Sequence, residues 1–261
     1  DGNFPELWMF STTKANNTGR EHVEEGICYL ENDGSISLKY LIETDPIGML
    51  GKRHYNKYHN SMGVLIKLID SKERLTVQVH PDKDKALKLF NSQFGKTECW
   101  HILGTRTDMD EPPYIYMGFK EGISEEKWKE CFEKQDYPGM LSLMHKIQVK
   151  PGETYMIYGG VPHAIGPGCM LLEIQEPTDY TIRIEKITPS GFEIDDKMCH
   201  QGIGFEKMFE CFDYKGYSLE EALESWRLEP KLVREDHNNK IINIVDYYAT
   251  ECFKMEKIVV Y

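Results

Sequence analysis

Cys-x-x-Cys pairs are missing from this sequence, and so is any surplus of basic charge. Its seven cysteines (28, 99, 131, 169, 199, 211 and 252) are scattered and odd in number. That pattern is neither a disulfide framework nor a zinc ribbon, and it points to a reducing, cytoplasmic setting. Acidic residues outnumber basic ones 43 to 31, for a net charge of −12. Nucleic acids and acidic membranes reward the opposite sign, so neither is expected as a partner. A small anion stays open, because a few cations inside one cleft can outweigh the global field. No run approaches the ~18 apolar residues of a membrane span, and no leader-like apolar stretch stands near the N-terminus. Repeats and low-complexity tracts are also lacking. The chain opens on Asp1-Gly2 without a Met, so both ends are treated as open.

What is present fits a soluble globular protein: 261 residues, 40% hydrophobic and 28% charged. That length buries a full core and holds one large all-β domain, or one domain plus part of another. The informative stretch is Leu75-Thr-Val-Gln-Val-His-Pro81. Read as a strand, it turns Leu75, Val77 and Val79 to one face and Thr76, Gln78 and His80 to the other. The polar row spans ~13 Å at the usual strand rise. Hydroxyl, amide and imidazole suit a cavity wall, since each can hold a fixed hydrogen bond or metal bond. The plain alternative is a strand facing solvent.

Other segments follow the same period. Val64–Ile69 is an apolar strand interrupted by Lys67, whose ammonium needs an anion or the cavity, or else snorkels at an edge. Asp82 is placed as the N-cap of a helix reaching Phe94. Gly95–Leu103 is a strand with Lys96, Glu98 and Trp100 on one face. Gly159–Gly168 is a loop dense in Gly and Pro around His163, and these residues limit its freedom. Met170–Gln175 puts Glu173 on one face with Gln175, and Tyr180–Ile184 puts Arg183 on one face with Thr181. Cys28–Leu30 and Ile36–Tyr40 read as strands, residues 52–59 as a solvated loop, and Leu7–Phe10 as a short apolar patch. Ser218 opens a capping-box helix through Trp226, followed by a polar linker over 231–239 and a strand at 253–261. Many short strands between turns favour an all-β sandwich or barrel.

Two imidazoles (His80, His163), a carboxylate (Glu98) and an amide (Gln78) form a credible set of ligands for one divalent metal ion. The N/O mixture suits zinc and also fits iron or manganese.

Four ordered segments carry a resemblance: Leu75–Asp82, Gly95-Lys-Thr-Glu-Cys-Trp100, Gly160-Val-Pro-His-Ala164 and Pro177-Thr-Asp-Tyr-Thr-Ile-Arg183. They resemble the signature segments of the type I mannose-6-phosphate isomerases, zinc-dependent aldose–ketose isomerases of the cupin superfamily, in their short bacterial form. The similarity runs from about Glu6 to about Glu185. It implies a mainly β cupin fold (a double-stranded β-helix, or jelly roll) with a few short helices. It makes Gln78, His80, Glu98 and His163 the zinc ligands, and sets Lys96, Glu173, Asp179 and Arg183 in the sugar pocket. Lys67 and Thr76 match positions near the substrate phosphate. One departure is Ser190 after Thr188-Pro189, where longer members have Lys; this bears on whether a phosphate is required. By the same resemblance residues 1–230 are a cupin catalytic domain with short helical insertions. Residues 231–261 are then a linker and the first strand of a second, truncated cupin domain.

The expected activity is interconversion of mannose-6-phosphate and fructose-6-phosphate through an enediol, with a small sugar phosphate as the partner. A proton must move between C1 and C2, and Glu173 is the first candidate for the base, Lys96 the second. Arg183 stays charged at ordinary pH and is assigned to clamping substrate oxygens, with Asp179 holding Arg183 or a ring-opening hydroxyl. The rival readings are a metal-bearing cupin that senses a sugar without turning it over, and a metal-dependent dioxygenase.

Overall fold

The computed structural model describes residues 5–261. Six strands lie side by side in the order Glu6–Met9, Leu65–Asp70, Cys169–Gln175, Glu98–Thr105, Thr154–Ile157 and Arg227–Leu228, every pairing antiparallel. A second sheet runs Ile182–Arg183, Gln78–Val79, His163–Ile165, Tyr114–Lys120 and Gly216–Tyr217, with Met144–Gln148 also paired to Tyr114–Lys120. Inner-face residues of the first sheet, among them Ile69, Trp100, Ile102 and Leu171, pack with Ile115, Met117 and Ile165 of the second. Each sheet has an apolar face that must be buried, and facing each other satisfies both. This is the mainly β jelly-roll organisation expected.

Both outer faces are covered as well. Val77 and Val79, the aliphatic side of the Leu75–Pro81 stretch, are fully buried under helices Glu125–Lys134 and Tyr137–Ser142 and the aromatic run Phe209–Phe212. The helix Glu125–Lys134 starts where Ser124 caps Lys127 N, and it turns Trp128, Cys131 and Phe132 inward at helical spacing. On the other side, Cys99, Met156 and Ile174 pack against Ile244, Val245, Phe253 and Met255. Ile244, Val245 and Met255 belong to a separate three-stranded sheet, Lys231–Glu235, Asn239–Val245 and Met255–Val260, and Phe253 lies just before its last strand.

Several local expectations are corrected. The polar stretch at 231–239 is not simply a linker, because Lys231–Glu235 is an exposed edge strand, where polar residues are tolerated. The turn beyond it is closed by Asp236, which accepts from Asn238 N and Asn239 N. The strand expected over Ile36–Tyr40 ends early, because Ser37 caps Tyr40 N and starts the helix Leu38–Thr44. Residues 52–58 are helical rather than loop. The patch at Leu7–Phe10 is largely an edge strand, and His163 opens a short strand within its loop. Regular pairing in Leu75–Pro81 is confined to Gln78–Val79. Leu75 N donates instead to Ile165 O, and Val77 N to the Glu185 carboxylate.

The His163 loop is fastened to the end of the His80 strand by close backbone approach. Gly160 N donates to His80 O at 2.9 Å. A Cβ on Gly159 would stand 2.4 Å from Asp82 Cα, so only glycine lets the two segments touch. Gly159→Ala is therefore expected to cost about 1–3 kcal/mol through overpacking. Thermal unfolding should show it as a Tm lower by ~2–4 °C per kcal/mol. Gly34→Ala, with nothing within 4 Å of its Cβ, is the matched control and should leave Tm unchanged.

Candidate active site

Sheet register decides which side chains meet. In the first sheet, Trp8 lies opposite Lys67, Lys67 opposite Glu173, and Glu173 opposite Trp100. Directly paired residues share a face, so these four form one row pointing inward. In the second sheet, Arg183 lies opposite Gln78, and Gln78 opposite His163. Between the rows lies a cavity of about 570 Å³, lined among others by Lys67, Gln78, Lys96, Glu173, Asp179 and Arg183.

Beyond this cavity, and fully buried, are His80, Glu98 and His163. His80 Nε2 is 3.3 Å from one Glu98 oxygen and His163 Nε2 is 3.5 Å from the other. The two Nε2 atoms are 3.1 Å apart. Each ring turns its Nδ1 to a backbone carbonyl, His80 to Tyr180 O at 2.9 Å and His163 to Val161 O at 2.8 Å. A carbonyl only accepts, so each Nδ1 carries the hydrogen and each Nε2 presents a lone pair. Burial, first of all, holds both imidazoles below their ordinary pKa; Lys96 adds to this for His80, and Glu98 opposes it for His163. Both Glu98 oxygens are buried without a hydrogen-bond donor. Two lone pairs and a carboxylate therefore converge with no proton between them. Such a set repels itself unless a cation sits among its atoms, and imidazole with carboxylate is a donor set for a divalent metal ion. These residues fit a metal.

Around this group the charges are paired with care. Lys67 Nζ is 3.1 Å from Glu173 Oε1 and 3.2 Å from Glu6 Oε2, and it lies 4.8 Å from the centre of the Trp8 ring. Burial by itself would lower the Lys67 pKa, but Glu173 and Glu6 more than offset it, so the ammonium is held charged. Glu173 Oε2 accepts from Trp100 Nε1 at 3.0 Å. Burial, and then the Glu98 charge, push the Glu173 carboxyl up, against the pull of Lys67 and Lys96. Lys96 Nζ donates to Thr181 Oγ1 at 3.1 Å and is 3.9 Å from Glu98 Oε2, so it bridges cavity and buried group. Burial first, and the Lys67 charge second, lower its pKa.

The structure thus brings together Lys67, Gln78, His80, Lys96, Glu98, His163, Glu173 and Arg183. Two expectations change. Thr76 is not among the cavity-lining residues, and Leu75 lines it instead. The reason is the irregular backbone at 75–77, which breaks strict alternation before Gln78. Asp179 lines the cavity but does not hold Arg183; its Oδ2 accepts from Asn16 N at 2.8 Å. Arg183 Nη1 is held by the carbonyls of Thr181 and Met198, at 3.2 and 3.3 Å. Ser190 is exposed and bonded to Thr188, away from the cavity lining. Among the cavity residues left unassigned in the sequence are Glu6 and Trp8. Their signal was the alternation of Glu6 and Trp8 with Leu7 and Met9.

Comparison with known proteins bears on this arrangement. Residues 1–98 match the family model for the type I phosphomannose isomerase catalytic domain, a span that includes Lys67, Gln78, His80 and Glu98. This bears out the resemblance to the type I phosphomannose isomerases. The probable mannose-6-phosphate isomerase GmuF of Bacillus subtilis is 37% identical over 121 residues, 46% of this chain and 36% of the relative. The mannose-6-phosphate isomerase of Streptococcus mutans is 35% identical over 143 residues, 53% of this chain and 42% of the relative. The matches therefore span under half the length of these relatives. Among solved structures, the mannose 6-phosphate isomerase of Bacillus subtilis superposes with a TM-score of 0.66 at 22% identity, covering 98% of this chain and 70% of that one. A mannose 6-phosphate isomerase solved with zinc bound has a TM-score of 0.57 at 15% identity, covering 85% and 69%. These likenesses establish the cupin fold. Among the described residues, no helix is long and apolar enough to cross a membrane.

Lys67 stands as the counter-charge of a buried carboxylate. Lys67→Met is expected to lower stability by about 3–5 kcal/mol, the usual cost of leaving a buried charge unpaired. The double variant Lys67→Met/Glu173→Gln should recover most of it, as urea unfolding of both proteins would reveal. Equal losses in single and double variants would assign the Lys67 effect to packing alone.

Proposed function

We propose that this chain carries the catalytic unit of a mannose-6-phosphate isomerase, interconverting mannose-6-phosphate and fructose-6-phosphate through an enediol. The observation that carries the reading is the buried convergence of His80, Glu98 and His163 beside a cavity holding Lys96, Glu173 and Arg183. A sensor needs the metal group; the charged groups poised beside it are what proton transfer needs. Gln78, in register with His163, would complete the ligand set. Zinc is the ion we assign, and when bound it supplies Lewis acidity toward the O1 and O2 oxygens of the sugar.

The chain's own residues would do the rest. Glu173 has both oxygens engaged, one by Lys67 and one by Trp100, so it is a rigid carboxylate suited to orienting a sugar hydroxyl. Lys96 has one hydrogen bond, to Thr181, and leaves the remaining positions on Nζ for substrate. The geometry therefore favours Lys96 Nζ over Glu173 as the atom that carries the proton between C1 and C2. Arg183, tethered through Nη1 alone, keeps other N–H groups for substrate oxygens, including those of a phosphate. Lys67, already paired twice, adds positive potential to the cavity rather than a free grip. Residues 1–230 form the catalytic unit in this reading, and the C-terminal sheet begins a further one. The setting we infer is cytoplasmic, in keeping with seven free cysteines.

His80→Ala and His163→Ala are expected to purify largely free of metal, since loss of one imidazole removes most of the affinity of such a group. Elemental analysis of the folded variants checks this, and a full metal content in either would refute the ligand set.

Wild type should exchange the C2 proton of its substrate with solvent. Lys96→Met should reduce that exchange by ~10²-fold or more, as loss of a proton-transferring group does. Arg183→Ala should lower kcat by ~10²-fold if it meets charge that grows in the transition state. Binding of fructose 6-phosphate by metal-loaded wild type without exchange or turnover would replace the isomerase by a sensor.

A further inference from the structure

One wall of the cavity comes from neither sheet. Ala15, Asn17, Glu25, Gly26, Ile27 and Cys28 line it, all from the segment between the first strand and the hairpin at 29–37. These residues are half-buried, whereas residues 18–22 on the outer side of the same segment are exposed. The segment is seated on Trp8: a Cβ on Gly26, at φ +88°, would lie 2.7 Å from the indole ring. It leaves the first strand at Phe10, an exposed aromatic held at φ 51°, a left-handed conformation that costs a bulky residue free energy.

Its fastenings to the far side of the cavity are few and polar. Asn16 N donates to Asp179 Oδ2 at 2.8 Å, Asn16 Nδ2 to Gln201 Oε1 at 2.7 Å, and Thr13 Oγ1 to Pro177 O at 3.3 Å. The first and third reach the Pro177–Asp179 loop that leads into the Arg183 strand. Inside, the segment closes on itself through Asn17 Nδ2 to Glu25 Oε2 at 2.9 Å and Ala15 N to Glu25 O at 2.8 Å. It is thus a preformed piece, seated on Trp8, whose carbonyl accepts from Cys28 Sγ at 3.6 Å, and joined across the cavity by these three hydrogen bonds, with an exposed Glu21–Lys197 ion pair at 3.5 Å on its outer side.

We propose that residues 11–28 are a strap that closes over the substrate, with Asp179 as its latch. Asp179 is on this view a positioning residue: it accepts the Asn16 N–H and so couples the strap to the loop that precedes Arg183. The strap shelters the part of the sugar remote from the buried metal group, and so sets how much of the substrate the site encloses. This rests on the cavity being the substrate site; the first measurement below does not.

Trp8 lies beneath the strap and is partly accessible, while Trp100, Trp128 and Trp226 are buried in the core. Acrylamide quenching of tryptophan emission therefore reports strap position. Thr13→Val/Gln201→Ala removes two fastenings without touching a cavity-lining residue. At unchanged far-ultraviolet dichroism and Tm, this variant should be quenched about twofold more strongly than wild type, as opening of a local segment exposes what it covers. Asp179→Ala should do the same, and Asp179→Asn, which keeps an acceptor oxygen, should stay near wild type. In turnover of fructose 6-phosphate the double variant should show KM raised about fivefold with kcat nearly unchanged, the signature of a smaller closed population. Wild-type quenching in both the double variant and Asp179→Ala overturns the strap. Increased quenching without any turnover by wild type leaves the strap standing and rejects the isomerase reading.

Discussion

Three groups with lone pairs, His80, Glu98 and His163, are buried against one another with no hydrogen to share. Left alone this is costly, because the low-dielectric interior magnifies repulsion between acceptors. Much of the nearby architecture holds them there nonetheless. Backbone carbonyls of Tyr180 and Val161 fix both imidazoles in the tautomer that aims Nε2 inward. Trp100 meets His163 edge-on, with ring centres 5.3 Å apart. Gly159 and Gly160 press the His163 loop onto the backbone around His80. A fold that secures an unfavourable cluster from so many directions is organised to receive a cation.

The same economy governs the cavity in front. Lys67 is deep in an apolar strand, and it is tolerated because Glu173 and Glu6 face it from the neighbouring strands. Glu173 in turn is fixed by Trp100, whose ring also meets His163 edge-on. The Trp8, Lys67, Glu173, Trp100 row therefore transmits position from the edge of the sheet to its centre. In a sheet, a one-residue slip would reverse every one of these side chains, so the register is functional as well as structural. Packing on both outer faces, by helices on one side and the C-terminal sheet on the other, holds that register.

Much of this was legible in the residues. Alternation in Leu75–Pro81 separated Val77 and Val79 from Gln78 and His80, and the structure buries the valines under helices and turns the polar pair inward. Lys96, Glu98 and Trp100 were read on one face and serve neighbouring parts of one site. An isolated Lys in the strand at 64–69 announced a buried charge needing a partner. The capping box at Ser218 is formed with both of its hydrogen bonds. These signals are local: they depend on the strand period and on the chemistry of single side chains.

What the sequence determined by itself was the set of faces, the mainly β class and the types of atom brought to the site. Tertiary structure decided the partners. Asp179 was expected to hold either Arg183, four residues ahead on the same segment, or a ring-opening hydroxyl; within the protein it binds Asn16, 163 residues away. Thr76 lost its place because Val77 N found the Glu185 carboxylate rather than a strand partner. Glu6 became the second counter-charge of Lys67 through pairing between strands some 60 residues apart. In each case a hydrogen-bonding or charged group had several chemically equal partners along the chain. Only the packing of one sheet against the other, with the segments it brings alongside, selected among them.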